Sequence, residues 1–411
     1  MRHTVRETGK RPREAYTETM ASICKKFKTS DNQTAVVQNF LAYGEVRRQL
    51  CRHRVRRCIP VPDPLNVPSD LRVTLRGRSV VAEDPHYGER FLLYEGEDGR
   101  LLLFCADTEL RFIHQSEYIV CDGTFEMAPE SAYQVYTVHG FVNGEGMPLA
   151  WAILPNKNTA TYIEVFSALR QAVVRLCGDI GSIKYFVTDF VTAAINAIQQ
   201  VFPTCCVKGC SFHYRQALLR RVHQEGLQSA YSDEGLVRQW IRHLMAMCLL
   251  PAFAIPHAWQ FLRIPPVVED SCTMQKMQRI ADYYEKTWIS GCFPPSLWSH
   301  YDHCGPRTTN QAEGWHNSLN TSFGVPHPSM RTFLDWLCKC QFEIQCRGIQ
   351  LAAGRVVKQR APTYTQLDDR IMSAKIRLNM RISEIFVYVF QEPRAWHAFH
   401  EELRSFLSYA A

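Results

Sequence analysis

Between residues 90 and 156 the apolar and β-branched residues come in short runs broken by turn formers. RFLLYEG (90–96) and RLLLFCAD (100–107), joined through GEDG, predict a β-hairpin. SEYIVCDGTFEM (116–127), YQVYTVHGFVN (133–143) and, past NGEG, MPLAWAILPN (147–156) predict three strands of an antiparallel meander. The period then changes. TYIEVFSALRQAVVRLCG (161–178) sets Ile163, Phe166, Leu169, Val173 and Leu176 at spacings of three and four, and Gly178 supplies the stop of a helix. IKYFVTDF (183–190) predicts a buried strand, and TAAINAIQQVFP (192–203) a helix halted by Pro203. TCCVKGCSFHY (204–214) predicts a short strand running into another helix. Residues 215–300 read as helical almost throughout, and further helices follow at 311–323 and 329–350.

Three antiparallel strands, then parallel strands joined through helical crossovers, predict an α/β fold of ribonuclease-H-like topology. Its mixed five-stranded sheet carries helices, and an all-α insertion precedes the last helix of the core. The expected organisation is a basic arm over 1–60 and a linker and hairpin region over 61–115. The first part of the core covers 116–214, the insertion 215–300 and the returning core helix 301–350. A helical C-terminal region covers 351–411. IPVPDPLNVPSDL (59–71) marks the end of the arm.

Charge sharpens that division. Residues 1–60 hold fourteen Lys+Arg against five acids, a net of +9, while the other 351 residues sum to −2. A basic arm on a near-neutral body suits a polyanion, because each phosphate contact releases counterions. Arg52, Arg54, Arg56 and Arg57, in RHRVRR, are the candidate DNA contacts, and the same run reads as a nuclear localisation patch. The plainer reading is a solvated arm. The first twenty residues contain no apolar core of a signal peptide, so the sixteen scattered cysteines are expected to be reduced. The longest uncharged stretch, His243–Leu262, is broken by Pro251 and Pro256 and predicts a buried helix and turn, not a membrane span.

Two acids close strands: Asp122 in YIVCDGTF and Asp189 in YFVTDF. In the predicted order their strands are neighbours, so the carboxylates meet and need a proton or a cation between them. Hard Mg²⁺ takes oxygen ligands and keeps positions open for substrate phosphates. Either acid alone is more simply a strand-end aspartate in a turn. Glu313, in TTNQAEGWHNSLN, is the candidate third acid, and its plainer role is a helix-start glutamate favoured by the helix dipole.

The motifs VCDGTFEMAP (120–129), VYTVHGF (135–141), PLAWAILPNKNTATY (148–162), VTDFVTAAINAIQQVFP (187–203), GCSFHYRQAL (209–218) and NQAEGWHNSLN (310–320) occur in one order. In these the chain resembles the transposases of Mutator-like elements (MULE), DDE-type enzymes, over about 90 to 350. The resemblance implies a catalytic and metal-binding triad of Asp122, Asp189 and Glu313, separated by 67 and 124 residues. It implies two Mg²⁺ (or Mn²⁺) ions, with Asp122 touching both, and strand cleavage and transfer at transposon ends in the nucleus. It implies DNA as partner and a homo-oligomer on that DNA. Cys210-x-x-His213 matches a family signature. Two ligands where structural zinc takes four make zinc unexpected, although Cys205, Cys206, His300, His303 and Cys304 are nearby or brought in by folding. Cys210 and His213 either fix packing at the edge of the active site, or His213 hydrogen-bonds near the scissile phosphate or a metal-bound water. Trp315 is a core anchor by default, or a platform for an unpaired base. Cys24, Cys51, His53 and Cys58 do not form the paired spacing of the zinc finger common in such relatives. That departure keeps a second reading open, a domesticated or truncated transposase acting as a non-catalytic DNA-binding protein. An RNA-degrading ribonuclease would share the metal site but not the helical insertion or the GCSFH motif.

Overall fold

The computed structural model describes residues 67–78, 87–324, 326–354, 362–389 and 393–410. The arm with Arg52, Arg54, Arg56 and Arg57 lies outside the described residues.

Seven strands form one mixed sheet. They are β1 (Leu92–Glu95), β2 (Leu102–Phe104), β3 (Tyr118–Thr124), β4 (Gln134–Val142), β5 (Glu145–Leu154), β6 (Tyr185–Thr188) and β7 (Cys206–Gly209). Their spatial order is β1-β2-β5-β4-β3-β6-β7. The pairs from β1 through β3 are antiparallel, while β3–β6 and β6–β7 are parallel. The expected sheet of five strands is therefore short by two. The β1–β2 hairpin is not separate: Leu103 pairs with Ala152, and the hairpin covers the edge that β5 would otherwise expose. Unpaired backbone groups along a long edge are a liability, and Leu102, Leu103 and Phe104 are fully buried there.

Helix α1 (Asp107–Gln115) is absent from the expected elements, since its nine residues are fewer than the stretch over which helical periodicity is read. Helix α2 (Thr159–Cys177) buries Tyr162, Val165, Phe166, Leu169 and Val173. Its inward face is thus rotated from the expected one, with Ile163 and Leu176 only half-buried. Gly178 ends it at φ +97°, donating its N–H to the Val174 carbonyl at 2.8 Å. Helix α3 (Thr192–Val201) crosses between the parallel strands β6 and β7.

After β7 come α4 (Ser211–Gln224), α5 (Gln228–Ser232), α6 (Leu236–Ala246), α7 (Ile255–Leu262), α8 (Ser271–Tyr284) and α9 (Pro295–Trp298). They close around an aromatic cluster. The Tyr214 ring stacks on Trp298 (centroids 5.1 Å apart, 13°) and meets Trp288 edge-on at 4.8 Å. Its hydroxyl donates to the Leu244 carbonyl at 2.5 Å and pairs with the Tyr284 hydroxyl at 2.6 Å. Helices α10 (Asn310–Phe323) and α11 (Met330–Ala352) return to the sheet. The last two, α12 (Pro362–Val389) and α13 (Pro393–Ala410), seal the aromatic cluster with Ile371, Leu378, Leu403, Phe406 and Leu407. Among the described residues no helix is long and apolar enough to cross a membrane.

One buried carboxyl ties the hairpin region to α11. Glu109 is fully buried, and Gln341 Nε2 donates to it at 3.0 Å. Burial pushes its pKa up to about 7. The folded state then holds this proton more tightly than the unfolded chain does. The resulting stability is complete below the unfolded value near 4.5 and is lost as pH rises through about 7. Glu109→Gln is expected to remove up to about 3 kcal/mol of the stability difference between pH 5 and pH 8. Urea titrations of both proteins at the two pH values measure it, and an identical difference in both would refute the assignment.

Candidate active site

The parallel register sets the site. Tyr118, Ile119 and Val120 of β3 pair with Tyr185, Phe186 and Val187 of β6, a constant offset of 67 residues. The same offset relates Asp122 to Asp189, so the two acids sit level on adjacent strands, whose backbones run about 4.8 Å apart. Strand β7 continues the row: Thr188 pairs with Gly209, and the Cys210 N–H donates to the Thr188 carbonyl at 2.7 Å. Asp122, Asp189 and Cys210 therefore line up at the carboxyl ends of three parallel strands, the edge at which open α/β sheets bind ligands. Two glycines permit this. A Cβ on Gly123 would run into the Gln134 amide, and one on Gly209 into the Phe190 ring.

Asp122 is buried and Asp189 half-buried. Burial, and then the charge of Asp189, push the Asp122 pKa up to about 7. Asp189 is raised too, chiefly by burial, against the Val191 N–H (3.3 Å) and the Thr188 hydroxyl (3.4 Å) that donate to it. Among the described residues, neither is matched by an arginine or lysine at ion-pair distance.

His213, in the first turn of α4, is an electrostatic neighbour of Asp122, Asp189 and Glu313 alike, and its Nδ1 is buried without a hydrogen-bond partner. Glu313 is half-buried in the first turn of α10, and burial raises its pKa. Among the described residues no three His, Cys, Asp or Glu side chains are grouped closely enough to hold a metal ion. The structure thus brings Asp122 and Asp189 together and sets Glu313 against His213, without joining it to the pair as a third ligand. The donor chemistry of the pair still fits a hard divalent cation: two level carboxylates, mutually repelling, with orphaned ring nitrogens beside them.

Cys210 holds the frame. Its thiol, kept neutral by burial, accepts from the Thr309 N–H at 3.3 Å and the Thr309 hydroxyl at 3.5 Å. The Ser211 N–H donates to the Arg307 carbonyl at 2.8 Å. The start of α4, with His213, is thereby fastened to the start of α10, with Glu313. The other nearby cysteine and histidine candidates go elsewhere. His300 Nε2 donates to the Gly209 carbonyl at 2.8 Å, which leaves its Nδ1 to accept from His303 Nε2 at 2.8 Å. Cys205 donates to the Ile183 carbonyl, and Cys206 and Cys304 are exposed.

Trp315 is not available to a base. It is buried against Trp336, with ring centroids 5.5 Å apart, and its Nε1 donates to Cys340 Sγ at 3.4 Å. The base-platform expectation for it is corrected: position 315 packs against α11 through Trp336 and Cys340. A residue absent from the sequence-based candidates is His316. One turn on from Glu313, its Nδ1 lies 3.7 Å from Asp122 Oδ2, and its Nε2 is buried without a partner. Burial lowers its pKa to about 4, so it sits there as neutral imidazole. The i, i+3 spacing of Glu313 and His316 is the signal that the sequence offers for it.

A cavity of about 200 Å³ opens on the insertion side, lined by Arg215, Arg242 and Arg307 together with Tyr231 and Cys248. Arg307 pairs with Asp368, whereas Arg215 donates to the Ser211 carbonyl and hydroxyl and has no carboxylate partner among the described residues.

Residues 118–217 match the family model of the MULE transposase domain. No curated protein matches the chain.

Proposed function

Because the chain carries a MULE transposase domain, we propose that it is a DDE-type DNA transposase that cleaves strands at transposon ends and joins them to target DNA. The observation that carries this reading is the level placement of Asp122 and Asp189 on adjacent parallel strands. The strand order supports a ribonuclease-H-like core: β5-β4-β3-β6-β7 runs third, second, first, fourth, fifth along the chain. Asp122, Asp189 and Glu313 are the proposed holders of two Mg²⁺ or Mn²⁺ ions, which would activate the nucleophile and offset charge on the leaving oxygen. His213, an electrostatic neighbour of all three acids, is the proposed neighbour of the scissile phosphate. Cys210 acts by keeping His213 and Glu313 in register. The basic arm, including Arg52, Arg54, Arg56 and Arg57, and the arginine-lined cavity are the proposed contacts to DNA phosphates. A homo-oligomer on DNA in the nucleus completes the proposal.

One observation favours a second reading. Glu313 stands outside any three-ligand group among the described residues, as it would in a relic that binds DNA without cutting it. Purified chain incubated with supercoiled plasmid and pre-nicked end oligonucleotides separates the two. Nicking with Mg²⁺ or Mn²⁺, abolished by chelator, supports the enzyme. Binding without cleavage of any substrate leaves the relic.

A further inference from the structure

Two large aromatic side chains are exposed at the strand ends beside the carboxylate pair. Phe125 is 42% exposed and Tyr133 44%, and their rings meet edge to face with centroids 5.4 Å apart. Phe125 follows the last residue of β3, three positions after Asp122. Tyr133 precedes the first residue of β4, and its N–H donates to the Leu154 carbonyl at the end of β5. These three strand ends share one edge of the sheet with Asp122 and Asp189. Lys157, exposed just past β5, places its Nζ 5.9 Å from the Phe125 ring centroid, and its charge also acts on Asp189.

The loop between the rings is held firmly. Met127 and Ala128 are buried, His327 Nδ1 donates to the Ala128 carbonyl at 3.0 Å, and the Glu130 N–H donates to the Pro328 carbonyl at 3.1 Å. A tied-down loop that still presents two rings to solvent, with a cation alongside, suits a flat ligand with an anionic attachment. A nucleobase on its phosphodiester has that chemistry. A base inside a duplex is already stacked, so the ligand is an unpaired base. Any of the four fits, because each has a π-face.

We propose that Phe125 and Tyr133, with Lys157, form a stacking platform for an unpaired DNA base next to the strand held at Asp122 and Asp189. This rests on the reading of the site as one that acts on DNA. The platform takes over the role that sequence pattern suggests for Trp315.

The test uses the full chain in chelator, so that nothing is cut, and oligonucleotides with 2-aminopurine in a single-stranded overhang, compared with blunt duplex. Wild type is expected to change the 2-aminopurine emission of the overhang. Phe125→Ala and Tyr133→Ala should each remove much of that change and weaken overhang binding about tenfold, with blunt-duplex affinity within about twofold. Phe125→Trp should keep the signal, and circular dichroism checks the fold of each variant. Equal weakening on overhang and blunt duplex, or no change in Phe125→Ala, overturns the platform. So does an effect of Phe125→Ala confined to self-association of the free chain, which would make the face a protein contact. The two proposals fail separately: stacking by a protein that never nicks sinks the enzyme alone, and nicking without stacking sinks the platform alone.

Discussion

Asp122→Asn is expected to abolish metal-dependent nicking, by at least about 10³-fold, while the protein still folds and binds DNA. The substitution keeps the shape of the side chain but removes charge at the position where Asp122 and Asp189 face each other. The same change should stabilise the protein in chelator at pH 8, because an ionised, buried carboxylate beside a second one is replaced by a neutral amide. The two effects have opposite signs, which separates a functional role from a structural one. Loss of nicking together with loss of thermal stability would mean that Asp122 is only part of the scaffold. Retained nicking would remove it from the chemistry altogether.

Trp298→Ala should have the largest effect on stability, about 3–5 kcal/mol. Trp298 is fully buried, stacked on Tyr214, in edge contact with Tyr284, and donates its Nε1–H to the Phe293 carbonyl at 3.1 Å. No neighbouring side chain can collapse into a space walled by other rings. Urea unfolding of the variant measures the loss, and a cost under about 1 kcal/mol would show that the aromatic cluster does not hold the insertion together.

The parts of the molecule that obey one period are readable in the sequence. The β-branched and aromatic residues of YQVYTVHGFVN and the apolar run in KYFVT mark β4 and β6, and the strand order expected from them is enough to set the two aspartates on neighbouring strands. Features that depend on three-dimensional neighbours are not readable in this way. Helix α1 is short, and its buried Glu109 reads as a surface residue until Gln341 arrives from 232 positions away. The place of the β1–β2 hairpin on the sheet depends on which edge is open, and local pattern does not record that. Trp315 and Phe125 exchange roles for the same reason. A tryptophan beside a functional acid and a phenylalanine after a strand look equally apolar, and only packing decides which one faces water. His316 carries no local mark either: a histidine three positions after a helical glutamate is ordinary until α10 docks it against Asp122.

The contacts between Cys210 and Thr309 and between Ser211 and Arg307 bring the two ends of the helical insertion to one point. The chain leaves the strand ends and re-enters beside them through a closed neck. With both crossing points fixed by these hydrogen bonds, the spacing between the strand ends bearing the aspartates and the first turn bearing Glu313 is set at the neck and not by the chain between.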